Sequence, residues 1–390
     1  MSRIAVLIPT LDRLGGAERQ VMQLAKGLAR RGWCVTVIAL SGTGGAAAQE
    51  LIDAGVEFMS LRMRKGLADP RGWWGFHRWL VQKRPALVHA HMPHSAWLAR
   101  WSRPLGPSFA LVDTIHTSSV GTLGCRLGYR LSDQLTDQVT VVSRAAATSY
   151  LDARMVSKHH LQTLPNGIDT EHWRPDATLR FAIRKDLRLK DEFLWLAAGR
   201  LETVKNYPIL LRAFQSLMRE AQLVIAGAGS LDGALRKLAQ ELEISNRVHF
   251  LGFETDVRRW MQAADGFALT SLWEGLPVAL LEAASCGLPA VATKVPGSWE
   301  TIEDGRTGLL VNTGDADALA GAMMKLMDTP SDLRQTMGEC ARQRVKELYG
   351  LEQVLDRWEA LYARIIDGRS SRRCKLTLNR ALQRNLYGRQ

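Results

Sequence analysis

Two glutamates carry the strongest chemical signal in the sequence. Glu274 and Glu282 stand eight positions apart in residues 271–293, SLWEGLPVALLEAASCGLPAVAT. Because a proline is tolerated in the first helical turn, the segment predicts a strand, a tight turn with Glu274, and a helix with Glu282. The residues expected at the turn and the helix start are Gly275, Leu276 and Pro277.

Carboxylates in such a segment suit the recognition of sugar hydroxyls. One carboxylate can accept hydrogen bonds from two vicinal hydroxyls, so we expect Glu282 to bind a ribose and Glu274 to bind a transferred sugar. The backbone of residues 275–277 can meet hydroxyls or a phosphate at the helix start. The alternative is that both glutamates are surface residues, but a glutamate within the apolar run VALLEAASC is rarely incidental.

Two cations on one loop predict a site for a diphosphate. Arg200 and Lys205 follow the strand-like run FLWLAAGR, which includes Gly199, and precede a helix expected to begin around Pro208. Charge-assisted hydrogen bonds and the dipole of that helix would act together on an anion. The same cations would stabilise charge on a leaving diphosphate, which makes both candidate catalytic residues. The alternative is that both are solvated loop charges.

Two glycine turns follow strand-like runs. Gly15 and Gly16, in GGAER, stand between the first strand and the first helix, where the backbone can approach a phosphate or a sugar. Gly227 and Gly229, in IAGAGS, resemble part of a dinucleotide fingerprint without its full spacing. We therefore expect both turns to lie near the bound donor.

His116 and Asn166 are the polar candidates of the first half. His116 follows the strand-like run ALVDTI, so we expect it in a cleft at the carboxyl end of that strand, where it can bond a sugar hydroxyl or a developing oxyanion. A capping or core histidine is the alternative. Asn166, in PNGID, could orient the donor or a loop, but Asn-Gly is itself a turn signal, so a structural role fits equally well.

The elements that position these residues alternate between strand-like and helix-like patterns. An apolar run at residues 4–10 is followed by a helical repeat from Val21 to Leu28, which ends at Gly32. Further strands are expected at residues 35–40, 86–90, 110–115 and 138–142, and from Phe193 onward in FLWLAAGR, QLVIAGAG, VHFLGF, GFALTS, LPAVAT and TGLLV. This order predicts parallel βαβ units.

The two series of units predict an α/β protein with two Rossmann-like, doubly wound domains that face each other across a cleft. We place an N-terminal domain at residues 1–170 and a C-terminal domain at residues 171–350, followed later by a basic tail at residues 368–390. Because open sheets bind ligands beyond the carboxyl ends of their strands, the candidate residues of both halves should meet in the cleft.

The composition favours a folded protein in a reducing compartment. The 390 residues are 46% hydrophobic and 23% charged, which is enough for two domains with large cores. The five cysteines are far apart and form no C-x-x-C pair, which argues against a disulfide framework or a zinc ribbon. Because the N-terminal segment lacks the pattern of a signal peptide, we expect a cytoplasmic location.

Together these residues resemble a known enzyme family. From Arg3 to about Ile366 the sequence is similar to the retaining glycosyltransferases of family four, which have the GT-B fold. The most specific match is the Glu-x7-Glu segment that begins at Glu274. The supporting matches are Gly15-Gly16-Ala17-Glu18, His116, Asn166-Gly167-Ile168-Asp169, and Gly199-Arg200 with Lys205. Ala228 is a departure, because many relatives have an acidic residue in that glycine turn.

The resemblance implies a role for each matching residue. Glu282 would bind the ribose of a UDP- or GDP-sugar, and Glu274 with the backbone after it would contact the donor sugar. Arg200 and Lys205 would hold the diphosphate, and His116 would contact the sugar near the reacting centre. The N-terminal domain would then bind the acceptor, and the C-terminal domain the nucleotide-sugar.

The resemblance also implies that the transferred hexose keeps its anomeric configuration without a metal or a cofactor. The sequence agrees, because its only Asp-x-Asp string, residues 315–317, is expected to cap a helix. His89, His91 and His94 lack a nearby carboxylate or cysteine, which argues against a metal site. We favour front-face displacement, in which the protein supplies positioning and electrostatics. A helix at residues 351–367 should cross back to the N-terminal domain.

The acceptor should be bound by the N-terminal domain, where residues 62–84 are rich in basic and aromatic side chains. Tryptophan and arginine at helical spacing suit a membrane interface, and the basic tail would attract an anionic surface. We therefore expect a lipid-linked or oligosaccharide acceptor for cell-surface polysaccharide synthesis, and peripheral contact with the inner face of the plasma membrane through residues 62–84 and 368–390. Ordinary packing and a solvated tail are the alternatives.

Two other functions stay open at this point. A GT-B sugar-nucleotide epimerase or phosphorylase would share the fold, and it would differ in whether the donor is consumed only with an acceptor. A nucleic-acid-binding protein would explain the basic tail, but nothing in the sequence matches a base-reading module. The donor sugar, the base, the acceptor and the linkage are not disclosed by the residues.

Overall fold

The structure is a computed structural model. It describes residues 2–12, 14–64, 69–187, 189, 191–217 and 220–387, with side chains up to residue 369. Residues 65–68 of the predicted membrane-contacting stretch, and most side chains of the basic tail, therefore lie outside the described residues.

Seven parallel strands of the described chain form the first sheet, in the order β3-β2-β1-β4-β5-β6-β7. The order reverses between β1 and β4, as in a doubly wound sheet. The strands are β1 (Arg3–Ile8), β2 (Cys34–Ala39), β3 (Glu57–Ser60), β4 (Leu87–His91), β5 (Ala110–Ile115), β6 (Gln138–Val141) and β7 (Leu161–Thr163). The helices between them are α1 (Gly16–Arg30), α2 (Gly45–Asp53), α3 (Pro70–Lys83), α4 (Met92–Ser102), α5 (Leu123–Ser132) and α6 (Arg144–Asp152).

A second parallel sheet has six strands within the described residues, in the order β10-β9-β8-β11-β12-β13. It reverses between β8 and β11, so the loops after these strands border a crevice. The strands are β8 (Phe193–Ala198), β9 (Ala221–Ala226), β10 (Val248–Gly252), β11 (Gly266–Leu269), β12 (Ala290–Thr293) and β13 (Gly308–Val311). The helices are α7 (Ala177–Asp186), α8 (Tyr207–Gln215), α9 (Asp232–Glu241), α10 (Val257–Ala263), α11 (Val278–Ser285), α12 (Ser298–Thr301), α13 (Ala316–Asp328) and α14 (Ser331–Tyr349).

The predicted α/β class with two doubly wound sheets is confirmed. Every strand expected from an apolar run is present, because these strands are buried on both faces and read as continuous hydrophobic segments. The prediction missed β3 and β7, which are short edge strands and include exposed positions. An edge strand packs less apolar surface, so its sequence carries a weaker signal.

Helix α15 (Leu351–Tyr387) connects the two sheets. Its first turns pack into the core of the first sheet beside α1, through Leu355, Trp358 and Tyr362. The sequence separated a crossing helix at residues 351–367 from a tail, whereas the helical backbone runs on without a break to Tyr387. The reason is local, because no proline follows Gly368 and the added residues are largely good helix formers.

The aromatic residues of α3 have two different surroundings. Phe76 and Trp79 are buried against the first sheet, so ordinary packing accounts for both of them. Trp74 is instead 61% exposed. In the part of the chain that the structure describes, no helix has both the length and the apolar character needed to cross a membrane.

Candidate active site

Two glycine loops lie side by side at the carboxyl ends of β8 and β9. Gly199 has φ of 152° and Gly227 has φ of 159°, which other residues rarely adopt. A Cβ at Gly227 would lie 1.9 Å from the carbonyl oxygen of Gly199, so only glycine fits. The hydroxyl of Tyr207 donates a 3.1 Å hydrogen bond to the same carbonyl oxygen. This close approach places the main chain of both loops at the crevice of the second sheet.

Lys205 and Glu274 form an ion pair beside these loops. The Lys205 Nζ lies 2.5 Å from Oε1 of Glu274, and the side chains are only 17% and 13% exposed. Ser271 Oγ donates to the same carboxylate oxygen at 2.6 Å. The hydroxyl of Thr270 fixes the loop by donating to the carbonyl of Lys205 at 2.9 Å. The pair is held at the carboxyl ends of β8 and β11, where the strand order reverses.

Arg200 occupies the outer part of the same loop. Its side chain is exposed, and within the described residues no hydrogen bond or ion pair holds its guanidinium. It lies close enough to Glu18 of α1 to lower the pKa of that carboxyl, against a larger upward shift of the pKa from burial. Arg200 therefore faces the first domain with a charge that is available to an anion.

Glu282 lies inside the interface between the domains. Its side chain is buried on α11, and this burial raises the pKa of Glu282 to about 7, while the positive charge of Arg19 acts in the opposite direction. Arg19 belongs to α1 of the first domain. Within the described residues no hydrogen bond holds the Glu282 carboxyl, which suits a ligand whose hydroxyl groups can donate to it.

The loop of residues 274–277 is one of the places where the two domains meet. A Cβ at Gly275 would lie 2.4 Å from the carbonyl oxygen of His116, so this glycine allows a backbone contact between domains. Ser118 Oγ donates to the carbonyl of Glu274 at 2.7 Å. Asn166 Nδ2 donates to the carbonyl of Leu276 at 3.4 Å.

The glycine turn of α1 approaches the same place from the first domain. A Cβ at Gly16 would lie 3.3 Å from Val278 Cγ2, the first residue of α11 after Pro277. Gly15 caps α1, because its N–H donates to Glu18 Oε2 at 3.0 Å. The N-terminus of α1 therefore points at the start of α11.

His116 is joined to a second histidine. Its Nε2 lies 2.9 Å from Nδ1 of His91, which ends β4. Burial lowers the pKa of His116 to about 4, and burial together with the neighbouring His89 and His116 holds the pKa of His91 well below its ordinary value. Both rings are therefore neutral at pH 7, and a neutral imidazole can donate and accept one hydrogen bond each.

One cavity adjoins this histidine pair, and a second opens nearby at residues 118–120. An enclosed cavity of about 20 Å³ is lined by His91, His116 and Asn166, a volume that suits about one water molecule. A wider groove of about 520 Å³ opens to solvent on the other side of the 116–119 loop, between the two domains. Its lining includes Ser118, Arg126, Asp152 and Trp273.

The structure brings most of the predicted site residues to one place, but sequence reasoning missed several neighbours. His91 was weighed only as a metal ligand, because its place next to His116 is set by the register of β4 against β5. Arg19, Ser118 and Ser271 carried no sequence signal, because their importance comes from contacts with residues far along the chain.

The aspartates at residues 315–317 lie away from this site. The predicted capping role is confirmed, because Asp315 accepts a 2.8 Å hydrogen bond from the N–H of Ala318 at the start of α13. Among the described residues, no group of three histidine, cysteine or acidic side chains is arranged to hold a metal ion.

Two family models match nearly complementary parts of the chain. Residues 14–172 match the model described as Glycosyltransferase Family 4, and residues 180–344 match the model described as Glycosyl transferases group 1. The chain belongs to the group 1 glycosyltransferases of family four. The family resemblance expected from the sequence is thereby confirmed.

Two relatives show what related glycosyltransferases act on. This glycosyltransferase is 28% identical to an N-acetyl-alpha-D-glucosaminyl L-malate synthase of Bacillus anthracis, over 70% of this chain and 73% of the relative. It is 25% identical to an Escherichia coli UDP-Gal:alpha-D-GlcNAc-diphosphoundecaprenol alpha-1,3-galactosyltransferase, over 76% of this chain and 80% of the relative.

A solved structure matches the whole arrangement of this glycosyltransferase. The Anabaena protein HepE, crystallised in complex with UDP-glucose, superimposes with a TM-score of 0.81 and 22% sequence identity, over 95% of this chain and 100% of HepE. The likeness confirms the GT-B fold with two Rossmann-like domains.

Proposed function

We propose that this glycosyltransferase moves a hexose from a UDP- or GDP-sugar to a lipid-linked glycan, with retained anomeric configuration and without a metal, in the synthesis of a cell-surface polysaccharide. The observation that carries the proposal is the ion pair of Lys205 and Glu274, 2.5 Å apart at the crevice of the second sheet. A cation beside a carboxylate matches a diphosphate that is joined directly to a sugar.

In this proposal the second domain holds the donor. Glu282 accepts hydrogen bonds from the ribose hydroxyls, and Lys205 and Arg200 bind the diphosphate. Glu274 accepts hydrogen bonds from the sugar. The positions where the backbone comes close to the donor are Gly15, Gly16, Gly199, Gly227, Gly275, Leu276 and Pro277, and Asn166 supports the last three through its bond to the Leu276 carbonyl.

The proposed reaction uses the neutral histidines of the first domain and the cations Lys205 and Arg200 of the second domain. The bond between the anomeric carbon and the diphosphate oxygen breaks as the acceptor oxygen bonds to the same face of that carbon. The acceptor proton passes to the leaving phosphate oxygen. Lys205 and Arg200 stabilise the charge on that oxygen, and His116, neutral and held by His91, contacts a sugar hydroxyl without adding charge near the reacting carbon.

The groove beside Trp273 is the proposed entrance for the acceptor. It is wide enough for a sugar, and Trp273, Asp152 and the serines of the 118–119 loop offer an aromatic face and hydrogen-bonding groups. The E. coli relative is named for a diphosphoundecaprenol acceptor, which supports a lipid-linked glycan, whereas the B. anthracis relative is named for malate. Contact with an anionic membrane at the inner face of the plasma membrane, through residues 62–84 and 368–390, belongs to the same proposal.

A thermal-shift screen of UDP- and GDP-sugars tests the donor site. A ligand at one hundred times its dissociation constant adds about 2.7 kcal/mol to the free energy of unfolding. We expect one nucleotide class to raise the Tm, and Glu282→Ala to abolish the rise while the protein stays folded. Glu303→Ala, at an exposed glutamate of the same domain, is the matched control. An unchanged rise in Glu282→Ala removes Glu282 from the site.

Consumption of the donor separates transfer from related reactions. Both relatives are named as enzymes that form a glycosidic product, so we expect the donor to be consumed only when an acceptor is added. Consumption without an acceptor, or with inorganic phosphate alone, would favour an epimerase or a phosphorylase instead.

A further inference from the structure

Helix α5 presents an apolar stripe to solvent. Leu123, Leu127 and Leu131 are 69%, 48% and 76% exposed. Residues four apart lie on one face of a helix, so the three side chains form a continuous row. On the opposite face Tyr129 and Ser132 are buried, and the buried guanidinium of Arg100 donates to Ser132 Oγ at 2.9 Å. Packing in the domain therefore holds the leucine row outward.

The helix that carries this leucine row also has exposed positive charges. Arg126 and Arg130 are exposed on the same helix. From Pro70 to Ser132 the chain has eight lysines and arginines but a single acidic residue, Asp113. That carboxylate is fully buried, and its Oδ2 lies 2.5 Å from Nη2 of Arg100. Among the described residues neither Arg126 nor Arg130 has an ion-pair partner, whereas Arg71, Lys83 and Arg103 are paired with carboxylates from outside this range.

The neighbouring helices extend the apolar surface. Helix α4 packs against α5 where Gly128 meets the ring of Trp97, and α3 packs against α4. Seven large hydrophobic residues on this side of the first sheet are exposed in the described part of the chain: Trp74, Val81, Trp101, Leu105, Leu123, Leu127 and Leu131. On the opposite layer, formed by α1, α2 and α15, the corresponding set contains Ile52 alone among the described side chains.

We propose that the outer face of α5, with the exposed side chains of α3 and α4, docks this enzyme on an anionic lipid bilayer. Leucines that enter the interface, arginines that reach phosphate headgroups and tryptophans at the boundary are the features of a surface-bound amphipathic helix. A folded protein partner is less well matched, because the leucine row lies on a convex helix surface and the same helix carries the unpaired cations Arg126 and Arg130.

The role of this docking surface rests on the proposed function, in which the acceptor is lipid-linked. Arg126 lies on the leucine-bearing helix and also lines the groove beside Trp273. An enzyme seated through α5 therefore holds the groove at the level of the headgroups, where the phosphate of a lipid-linked acceptor lies. The docking surface overlaps the predicted segment 62–84 only through the exposed side chains of α3, such as Trp74, because Phe76 and Trp79 lie in the core.

Vesicle co-sedimentation of the full chain tests the proposal. Vesicles of phosphatidylcholine with 30% phosphatidylglycerol and vesicles of phosphatidylcholine alone are the two probes. We expect tighter binding to the anionic vesicles, weakening with salt. The triple substitution Leu123→Gln, Leu127→Gln, Leu131→Gln should weaken this binding at least about tenfold. Ile52→Gln, at the exposed aliphatic residue of the opposite layer, should leave it unchanged.

A second pair of variants tests the charges. Arg126→Gln with Arg130→Gln should lower the affinity for anionic vesicles by about tenfold or more. Lys237→Gln with Arg306→Gln removes two exposed cations from the other domain and should have little effect. A chain ended after Asp367 separates the contribution of the basic tail from that of α5.

Several outcomes overturn the proposal. These are no binding of the parent to anionic vesicles, binding that survives the leucine substitutions, or binding that depends only on the tail. A parent that dimerises in light scattering, and becomes monomeric with the leucine substitutions, would assign the surface to a second copy instead. The rise in Tm on adding nucleotide is measured in the parent and in every variant. No rise in the parent would contradict the proposed function. A rise retained in a variant shows that its donor site is intact.

Discussion

At the rim of the second domain, Lys205 and Glu274 form an ion pair 2.5 Å apart, whereas at the rim of the first domain His91 and His116 form a pair of buried rings 2.9 Å apart. The first pair is charged and partly open to solvent. The second pair is neutral, since burial holds the pKa of each ring low. The comparison shows that the rim of the second domain carries charge, whereas the rim of the first domain carries neutral hydrogen-bonding groups.

The two rims also differ in how their positions are fixed. Around Gly199 and Gly227 the backbone itself sets the geometry, because two glycines allow the loops to touch. Around His116 the geometry depends on one side chain bonding another, and on Gly275 of the other domain lying against the His116 carbonyl. The rim of the first domain around His116 is therefore complete only when both domains are in contact.

Loss of charge on the donor side should have the largest effect. Lys205→Ala removes a cation that we propose binds the leaving diphosphate and leaves Glu274 without its ion-pair partner, so we expect kcat to fall by about 10³-fold. Lys205→Arg should recover part of the loss, and Lys237→Ala, at an exposed lysine of the same domain, should have no effect. Steady-state transfer assays measure this, and a loss below about tenfold would contradict the assignment of charge to this rim.

Disturbing the contact between the rims should have the next largest effect. A Cβ at Gly275 would meet the His116 carbonyl oxygen at 2.4 Å, so Gly275→Ala must shift one backbone and should lower kcat/KM by about 100-fold. Gly321→Ala, on α13 of the same domain, is the matched control, because a Cβ there would meet no atom within 4 Å, and we expect about a threefold change or less. Equal effects would show that the closeness of the Gly275 contact is unimportant.

Removing the support of His116 should have a moderate effect. His91→Phe deletes the group that bonds Nε2 of His116, and we expect kcat to fall about tenfold while the KM for the donor changes little. His91→Asn can place an amide near the position of Nδ1 and should restore much of the rate. If Phe and Asn at this position act alike, the histidine has only a packing role.

The smallest effect should come from the protonation of Glu282. With a pKa of about 7 this carboxyl is largely protonated at pH 6 and largely ionised at pH 8. Affinity for a nucleotide-sugar should therefore rise up to about tenfold across this range, and in Glu282→Gln it should be weak and independent of pH. Isothermal titration calorimetry at pH 6, 7 and 8 measures both proteins, and a parallel pH dependence would exclude Glu282 as the titrating group.

The same group affects stability with a defined sign. The pKa of Glu282 is raised above its ordinary value of 4.5, so the folded protein binds more protons than the unfolded chain between about pH 4.5 and pH 7. Its contribution to the free energy of unfolding consequently falls as the pH rises through that window. Glu282→Gln should stabilise the ligand-free protein by about 1 to 3 kcal/mol at pH 8 and by much less at pH 4. Thermal unfolding of the two proteins at both pH values measures the difference.

The fold was largely predictable because its signals are local. Buried parallel strands read as apolar runs, and the repeat from Val21 to Leu28 predicted α1, whereas β3 and β7 escaped because edge strands are short. The candidate donor loops were also predictable, since glycine, lysine and arginine follow strand ends in sequence. The pairing of His91 with His116 was not, because only the register of β4 against β5 brings their strand ends together.

The sequence by itself determined two series of βαβ units and the residue types at the ends of their strands, because hydrophobic periodicity and turn residues act over a few positions. Tertiary structure decided which of those residues share a site, how burial shifts the pKa values of Glu282 and His116, and which face of α5 stays exposed. These properties depend on distances and on exclusion of water between segments far apart in the chain, and a linear pattern carries neither.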